Sequence, residues 1–430
     1  MSQPSRMPSR SRISWKSILL FLSILGPGII TANVGNDASG ITTYSLAGAR
    51  FGYGFLWLLV PLTIALIFIQ EMAARMGAVT GRGLAQLIRE TYGVRITLLI
   101  MAGLVITNIA NTIAEFAGIA AATEIVGVSR FISVPLAALA VWLLVTKGNY
   151  NKVEKVFLVA CTFYIVYYFA AFLAHPIWPE VAKAAVVPKI TITAPYLLMF
   201  IALVGTTIAP WMQFYLQSSI VEKGIDMRKY RYSRWDVIIG SIITDITAFF
   251  IVVVCAATLF KAGIPVETAS DVALSLAPIA GQYAAWLFAF GLFNAAMFAA
   301  VVLPLSTTYY VCEAFGWESG LNKKIRDAPF FYSFFTIMIL IGAAFVLIPN
   351  IHLIQLMVIS QAVNGVLLPL VLVAMLLLVN NRSLMGQHVN PAWLNIAAWA
   401  FIGIIIVASL LLGLVTLFPE SAEYIATAIM

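Results

Sequence analysis

Apolar runs long enough to cross a lipid bilayer recur along this 430-residue chain. A spanning helix needs about 20 consecutive apolar residues. Eleven such stretches can be read, at about 17–50, 55–75, 96–125, 131–147, 153–174, 195–222, 236–260, 282–314, 329–348, 351–380 and 392–418. Hydrophobic side chains make up 62% of the chain and charged ones only 10%, against roughly a quarter charged in soluble domains. That balance excludes a secreted disulfide scaffold, a nucleic-acid-binding domain and most soluble enzymes. Cys161, Cys255 and Cys312 all lie in apolar runs and read as small hydrophobes, with no disulfide or metal framework among them.

The charges test the span count. With the N-terminus placed in the cytoplasm, Arg6, Arg10, Arg12 and Lys16 fall inside, together with the basic residues after every even-numbered span. Only Arg50, Arg130, Lys183, Lys189 and Lys261 of the 25 Lys and Arg remain outside. This asymmetry follows the positive-inside rule, and one missed span would scramble it. The net charge of +7 is then a feature of the inner leaflet and no sign of a nucleic-acid partner. The basic start looks like a signal peptide, but the apolar run behind it has no tidy cleavage site, so it is expected to be retained. An odd number of spans places the C-terminus outside. The expected organisation is a tail over 1–16, five helices over 17–174 and an extracellular loop over 175–194. Five more helices follow over 195–380, then an eleventh helix and tail over 381–430.

Two spans are interrupted. Span one runs Gly26-Pro27-Gly28 and then Asn33 through Gly40, a cluster of weak helix formers holding Asn36 and the ionisable Asp37. Span six carries Gly205-Thr206-Thr207-Ile208-Ala209-Pro210-Trp211, in which Pro210 removes a backbone donor. Non-helical backbone at membrane depth survives only where it is buried or lines a cavity. Paired breaks that open two successive sets of five helices point to an inverted-repeat transporter with its site at the midplane. The carbonyls freed near Val34 and Ile208, with the charge of Asp37, would favour a cation. Ordinary Pro/Gly kinks are the alternative.

Charge in hydrocarbon costs at least ~2.5 kcal/mol at a helix centre, so each polar residue within a span needs a reason. Asn108, Asn111, Thr112 and Glu115 form one helical stripe in span three, read either as an interhelical hydrogen-bond seam or as part of an ion path. Ser241, Thr244 and Asp245 repeat that spacing in span seven, as structural or vestibular groups. In span ten, Ser360, Gln361 and Asn364 share a face, and the amide oxygen of Gln361 is a candidate to complete a coordination shell. Asn294 in span eight reads as packing. His175, His352 and His388 are widely separated, and no His-Glu-x-x-His, nucleophile elbow or phosphate-cradling loop is present. An enzyme is therefore not expected.

The stretches Gly26-Pro27-Gly28, Asn36-Asp37-Ala38-Ser39-Gly40, Thr80-Gly81-Arg82-Gly83-Leu84, Ala209-Pro210-Trp211 and Ser360-Gln361 resemble, in order and spacing, the NRAMP divalent-metal transporters. The resemblance runs along nearly the whole chain. It implies an all-α polytopic LeuT-like fold with two inverted five-helix repeats plus an eleventh helix, in a prokaryotic inner membrane. The departures are informative. The family's Asp-Pro-Gly-Asn appears as Asp37-Ala38-Ser39-Gly40, and its Met-Pro-His as Ala209-Pro210-Trp211. Its Thr-Asp followed by Glu appears as Asn111-Thr112 followed by Glu115. This pattern is similar to the NRAMP-related magnesium transporters of prokaryotes.

The chemistry fits that branch. Thioethers select softer metals, whereas carboxylate, carbonyl and water suit Mg2+ and Mn2+. Mg2+ also prefers to keep several waters, for which Ala209 leaves room. The expected site joins Asp37, Gln361, Val34, Ile208 and Ala209, with Glu115 nearby and Asn36, Trp211, Thr112, Asn111, Asn364 and Asp245 along the path. Gly40, Gly205 and Pro210 are expected to break the helices. The transported ion is Mg2+ or Mn2+, with no cofactor and no obligate protein partner implied. Trp211 and Thr112 replace titratable groups linked to proton coupling, so uncoupled transport is expected. The membrane potential offers a dication about 4.6 kcal/mol per 100 mV, which suffices for uptake. Rival readings are a proton-coupled Mn2+/Fe2+ transporter, an amino-acid/cation symporter on the same fold, and an intramembrane enzyme.

Overall fold

A bilayer protein hides its polar groups and shows its apolar ones, and this chain is sorted that way. Asn33, Asn36, Asp37, Glu115, Asp236, Asp245 and Gln361 are all buried, whereas Leu99, Ile106, Leu410 and Leu417 are at least 66% exposed. The computed structural model describes residues 26–147, 155, 159, 162–276, 281–349 and 351–417. The basic residues Arg6 to Lys16, Cys161, part of the first half of the fifth expected span and the chain after 417 lie outside the described residues.

The helices in order are α1 (Pro27–Asn33), α2 (Ala38–Phe51), α3 (Leu56–Thr80), α4 (Leu84–Ile125), α5 (Arg130–Lys147), α6 (Ile165–Leu173), α7 (Trp178–Val186), α8 (Ala194–Thr207), α9 (Pro210–Glu222), α10 (Tyr230–Cys255), α11 (Ala269–Ala273), α12 (Ala284–Phe315), α13 (Pro329–Val346), α14 (Leu353–Val379), α15 (Arg382–Met385) and α16 (Ala392–Leu417). Among the described residues nine helical segments are long and apolar enough to cross a membrane, with α8 and α9 forming one of them. The pair α1 and α2 is the interrupted first span. A π-helical turn over Ala256–Phe260 extends α10.

Local chemistry explains several boundaries. Gly93 (φ 77°, ψ 176°) separates the first turns of α4 from its long apolar remainder. The expected loop at 175–194 is not wholly irregular. Pro179 near its start, Glu180 in the first turn and Lys183 in the last one favour the short helix α7 there. A capping box between Thr268 and Asp271 starts α11. Cys255 and Cys312 are free and buried.

The broken helices lie at the centre of the packing. α10 lies along α1, α2 and α3, while α14 lies against α8, α4 and α2, and α12 runs along α4. Asp236 of α10 fixes the start of the first span by accepting the amides of Gly26 (3.1 Å), Gly28 (2.6 Å) and Ile29 (3.4 Å). That carboxylate supplies acceptors to a helix N-terminus that would otherwise bury free donors. The eleventh helix, α16, is largely exposed and rests on α8 and α14.

Candidate functional site

The first break is a short 3-10 turn, Val34–Asn36, followed by Asp37 in extended geometry (φ −63°, ψ −179°). Asp37 then caps α2, its Oδ1 accepting the Gly40 amide at 2.5 Å. Glu115 reaches across from α4 to the same helix end. Its carboxylate accepts the amides of Ala38 (3.0 Å) and Ser39 (3.4 Å) and the Ser39 hydroxyl (2.7 Å). Two acids thus meet the positive end of one half-helix, where negative charge is favoured. Each carbonyl of this break already accepts a donor. Val34 O takes the Asp37 amide at 3.0 Å, Gly35 O the Thr206 hydroxyl at 3.2 Å, Asn36 O the Tyr164 hydroxyl at 2.8 Å and Asp37 O the Ile41 amide at 2.8 Å. The side chains are less satisfied: Asn33 Oδ1 and Asn36 Oδ1 are buried without a hydrogen-bond partner.

The second break has the opposite character. α8 ends at Thr207, Ile208 leaves helical geometry (φ −127°, ψ 72°), and Ala209 is extended before Pro210 starts α9. In a continuous helix Thr206 O would accept from residue 210, and proline has no N–H to give. Ala209 O is less open, because it accepts the Met212 amide at 3.1 Å. In the orientation that satisfies its neighbours, Gln213 also donates to Ala209 O at 2.9 Å. The two breaks touch at Gly35, where an added Cβ would come within 3.2 Å of Thr206 O and 3.1 Å of the Met212 methyl.

Several sequence expectations change here. The freed carbonyl expected at Val34 is paired, and the open backbone belongs to Thr206 and its neighbours. Gly40 and Gly205 do not break their helices; both lie inside them and permit close approach. A side chain at Gly40 would strike Gly35 O, and one at Gly205 would strike Gln361 O and the Gly365 amide of α14. Only Pro210 of the three sits at a break. Glu115 caps α2, so its geometry is that of a positioning group. The side-chain oxygen of Gln361 accepts from Asn364 Nδ2 at 2.9 Å. That bond leads into a seam in which Asn364 and Asn111 exchange two bonds of 3.0 and 3.1 Å, and Asn111 donates to Asn108. Thr112 turns its hydroxyl to Asn108 O (2.7 Å) and its methyl toward Gly342 of α13, away from the breaks. Trp211 is buried beside Tyr215.

Other residues were not read as site residues. Met212 lies one turn beyond Ala209 and brings a thioether to the first break, with Gln70 Nε2 4.0 Å from its sulfur. Tyr44, seven residues after Asp37 on α2, bonds Thr207 Oγ1 at 2.8 Å and ties the two half-helices together. The arrangement brings a carboxylate and the Asn36 amide oxygen to the first break and donor-poor backbone to the second, oxygen chemistry suited to a hard cation.

Known proteins share this fold. A manganese transporter from Eremococcus coleocola superposes with a TM-score of 0.77 at 21% identity, covering 98% of this chain and 94% of that one. A nucleobase-cation-symport-1 family transporter, MHP1, does so at 0.56 and 12% identity, covering 94% and 93%. These likenesses establish the LeuT-like fold that the family resemblance implied. In sequence, the chain is 27% identical over 395 residues to the divalent metal cation transporter MntH of Klebsiella pneumoniae, covering 90% of this chain and 92% of that protein. It is 29% identical over 408 residues to MntH 1 of Pseudomonas aeruginosa, covering 90% of each. The family model described as natural resistance-associated macrophage protein-like matches residues 28–415, and the chain belongs to that Nramp family.

Proposed function

We propose that this protein carries a divalent cation across the membrane by alternating access, with the ion held between the two breaks. The observation that carries this reading is the pairing of Asp37, at the positive end of α2, with the donor-poor carbonyl end of α8. The half-helix dipoles and the acid together make a closed, water-poor centre attractive to positive charge. The matched relatives are divalent metal cation transporters by name, which supports the same reading. Gln361, Ile208 and Ala209 line this centre, while Asn36, Asn111, Asn364 and Asp245 extend polar surface from it. The N-terminus is assigned to the cytoplasm by the charge asymmetry, and the C-terminus to the outside.

Oxygen ligands favour Mg2+ and Mn2+ over softer ions. The missing acid at Thr112 and missing imidazole at Trp211 favour transport without protons. A second reading, proton-coupled Mn2+/Fe2+ transport, is favoured by one observation: the Met212 methyl approaches Gly35, so a sulfur lies near the break despite Ala209. Flux into proteoliposomes, measured for Mg2+, Mn2+ and Cd2+ with an internal pH dye, separates the two. The first reading expects Mg2+ and Mn2+ entry without acidification, and a loss of at least about 100-fold in Asp37→Ala. Strong Cd2+ entry with acidification would establish the second reading. Full flux in Asp37→Ala would sink both.

A further inference from the structure

Four acids are buried in the half of the bundle around the first break, and three of them are accounted for. Asp236 receives three backbone amides, Glu115 two amides and a hydroxyl, and Asp37 the Gly40 amide. The fourth is Asp245 of α10. It is 3% exposed, and neither of its carboxyl oxygens has a hydrogen-bond partner among the described residues. Structural acids in this fold cap helix ends; Asp245 sits mid-helix and caps nothing. A buried carboxylate with no donor is costly unless a positive species joins it.

Among the described residues, other polar groups on its helix and at the first break lack partners as well. Ser241 Oγ, one turn earlier on the same face, and Thr244 Oγ1 are buried and unpartnered, as is Asn36 Oδ1, whose Nδ2 donates to Thr244 O at 3.0 Å. Thr63 of α3 approaches Asp245, but its hydroxyl proton is given to Leu59 O at 2.8 Å. Tyr44 lies within the electrostatic reach of both Asp245 and Asp37. Tyr44 is two turns beyond Asp37 on α2 and bonds Thr207 at the end of α8.

We propose that Asp245 is a second stop for the divalent cation, where the ion rests partly hydrated before or after it occupies the centre at Asp37. The proposal rests on the transport reading above. One carboxylate suffices for such a stop, because Mg2+ keeps several waters, and those waters can donate to the free oxygens of Asp245, Ser241, Thr244 and Asn36.

The test is saturation kinetics of Mg2+ flux in liposomes. Asp245→Asn keeps the shape and removes the charge, so the half-saturating Mg2+ concentration should rise about tenfold with maximal flux nearly kept. Asp245→Glu should restore most of the loss. Thr63→Lys should raise half-saturation similarly, by setting an ammonium against the carboxylate, and carries the test if Asp245→Asn does not fold. Mn2+ titration of the purified full-length Asp37→Ala protein should show residual binding that disappears in Asp37→Ala/Asp245→Asn. Unchanged half-saturation, or a fall in maximal flux alone, would overturn the second stop. So would the absence of Mn2+ binding in Asp37→Ala, which leaves the central site standing; flux surviving in Asp37→Ala defeats the central site instead.

Discussion

The two breaks are built on opposite principles. At the first, every carbonyl from Val34 to Asp37 accepts a hydrogen bond, and the unsatisfied groups are side chains: Asn33 and Asn36 each bury a lone oxygen. At the second, the side chains of Ile208, Ala209 and Pro210 offer nothing polar, and the openness lies in the backbone, where Pro210 withholds a donor from Thr206 O. Charge therefore enters from one half of the fold and uncharged backbone oxygen from the other. On the transport reading proposed above, a cation held there would meet the Asp37 carboxylate and the half-helix dipoles, with the Glu115 carboxylate committed to capping α2. That suits an ion that must also leave.

The comparison depends on α8 being held in place above the second break, and the largest expected effect comes from forcing it away from α14. Gly205 lies against the backbone of Gln361 and Gly365, and Gly365 has no room for a side chain beside Ile201. No rotamer change relieves a clash with backbone. Gly205→Val should cost at least ~3 kcal/mol, at the upper end of overpacking penalties, and abolish flux. Thermal melting in detergent reads this directly; a melt within a few degrees of wild type would show that α8 and α14 do not need this contact.

A smaller effect separates capping from ligation. Glu115 supplies acceptors to the Ala38 and Ser39 amides and the Ser39 hydroxyl, all buried. Glu115→Ala orphans them at about 1–3 kcal/mol each when no water substitutes. A net loss of about 2–3 kcal/mol in stability is expected. Glu115→Gln still accepts through one oxygen and should recover about half of that loss, with flux following stability. If Glu115→Gln melts like wild type yet transports nothing, the carboxylate charge serves the ion and the capping account is incomplete.

The sequence made the architecture legible because bilayer length, positive charge bias and paired breaks are one-dimensional signals. The acid at the centre was equally visible, since Asp37 stands in a run of weak helix formers. What the sequence could not show was which oxygens were already taken. Gln361 and Asn364 share a helix face in any reading, but only the packing of α14 on α4 turns the Gln361 oxygen to Asn364 and joins both to Asn111. Gly40 and Gly205 looked like breakers because glycine weakens helices; in place they serve contact, which depends on neighbours remote in sequence. Met212 carries no such signal, because its approach to Gly35 needs both breaks in three dimensions.

The smallest predicted effect tests the backbone half of the comparison most cleanly. Pro210 occupies the first position of α9, where its fixed φ suits a helix start and its missing N–H would be unpaired in any case. Pro210→Ala should therefore change stability by less than ~1 kcal/mol, through the greater freedom of the unfolded chain. It nevertheless gives residue 210 an N–H within the local sequence reach of Thr206 O. That donor would compete with the ion for the carbonyl and would let α8 and α9 approach a continuous helix. Flux should fall about tenfold, mostly through weaker ion binding, while the melt barely moves. Saturation kinetics beside a melting curve make the distinction: equal losses in both would mean that Pro210 only shapes the turn, whereas lost affinity at constant stability would assign the open backbone of the second break to the ion.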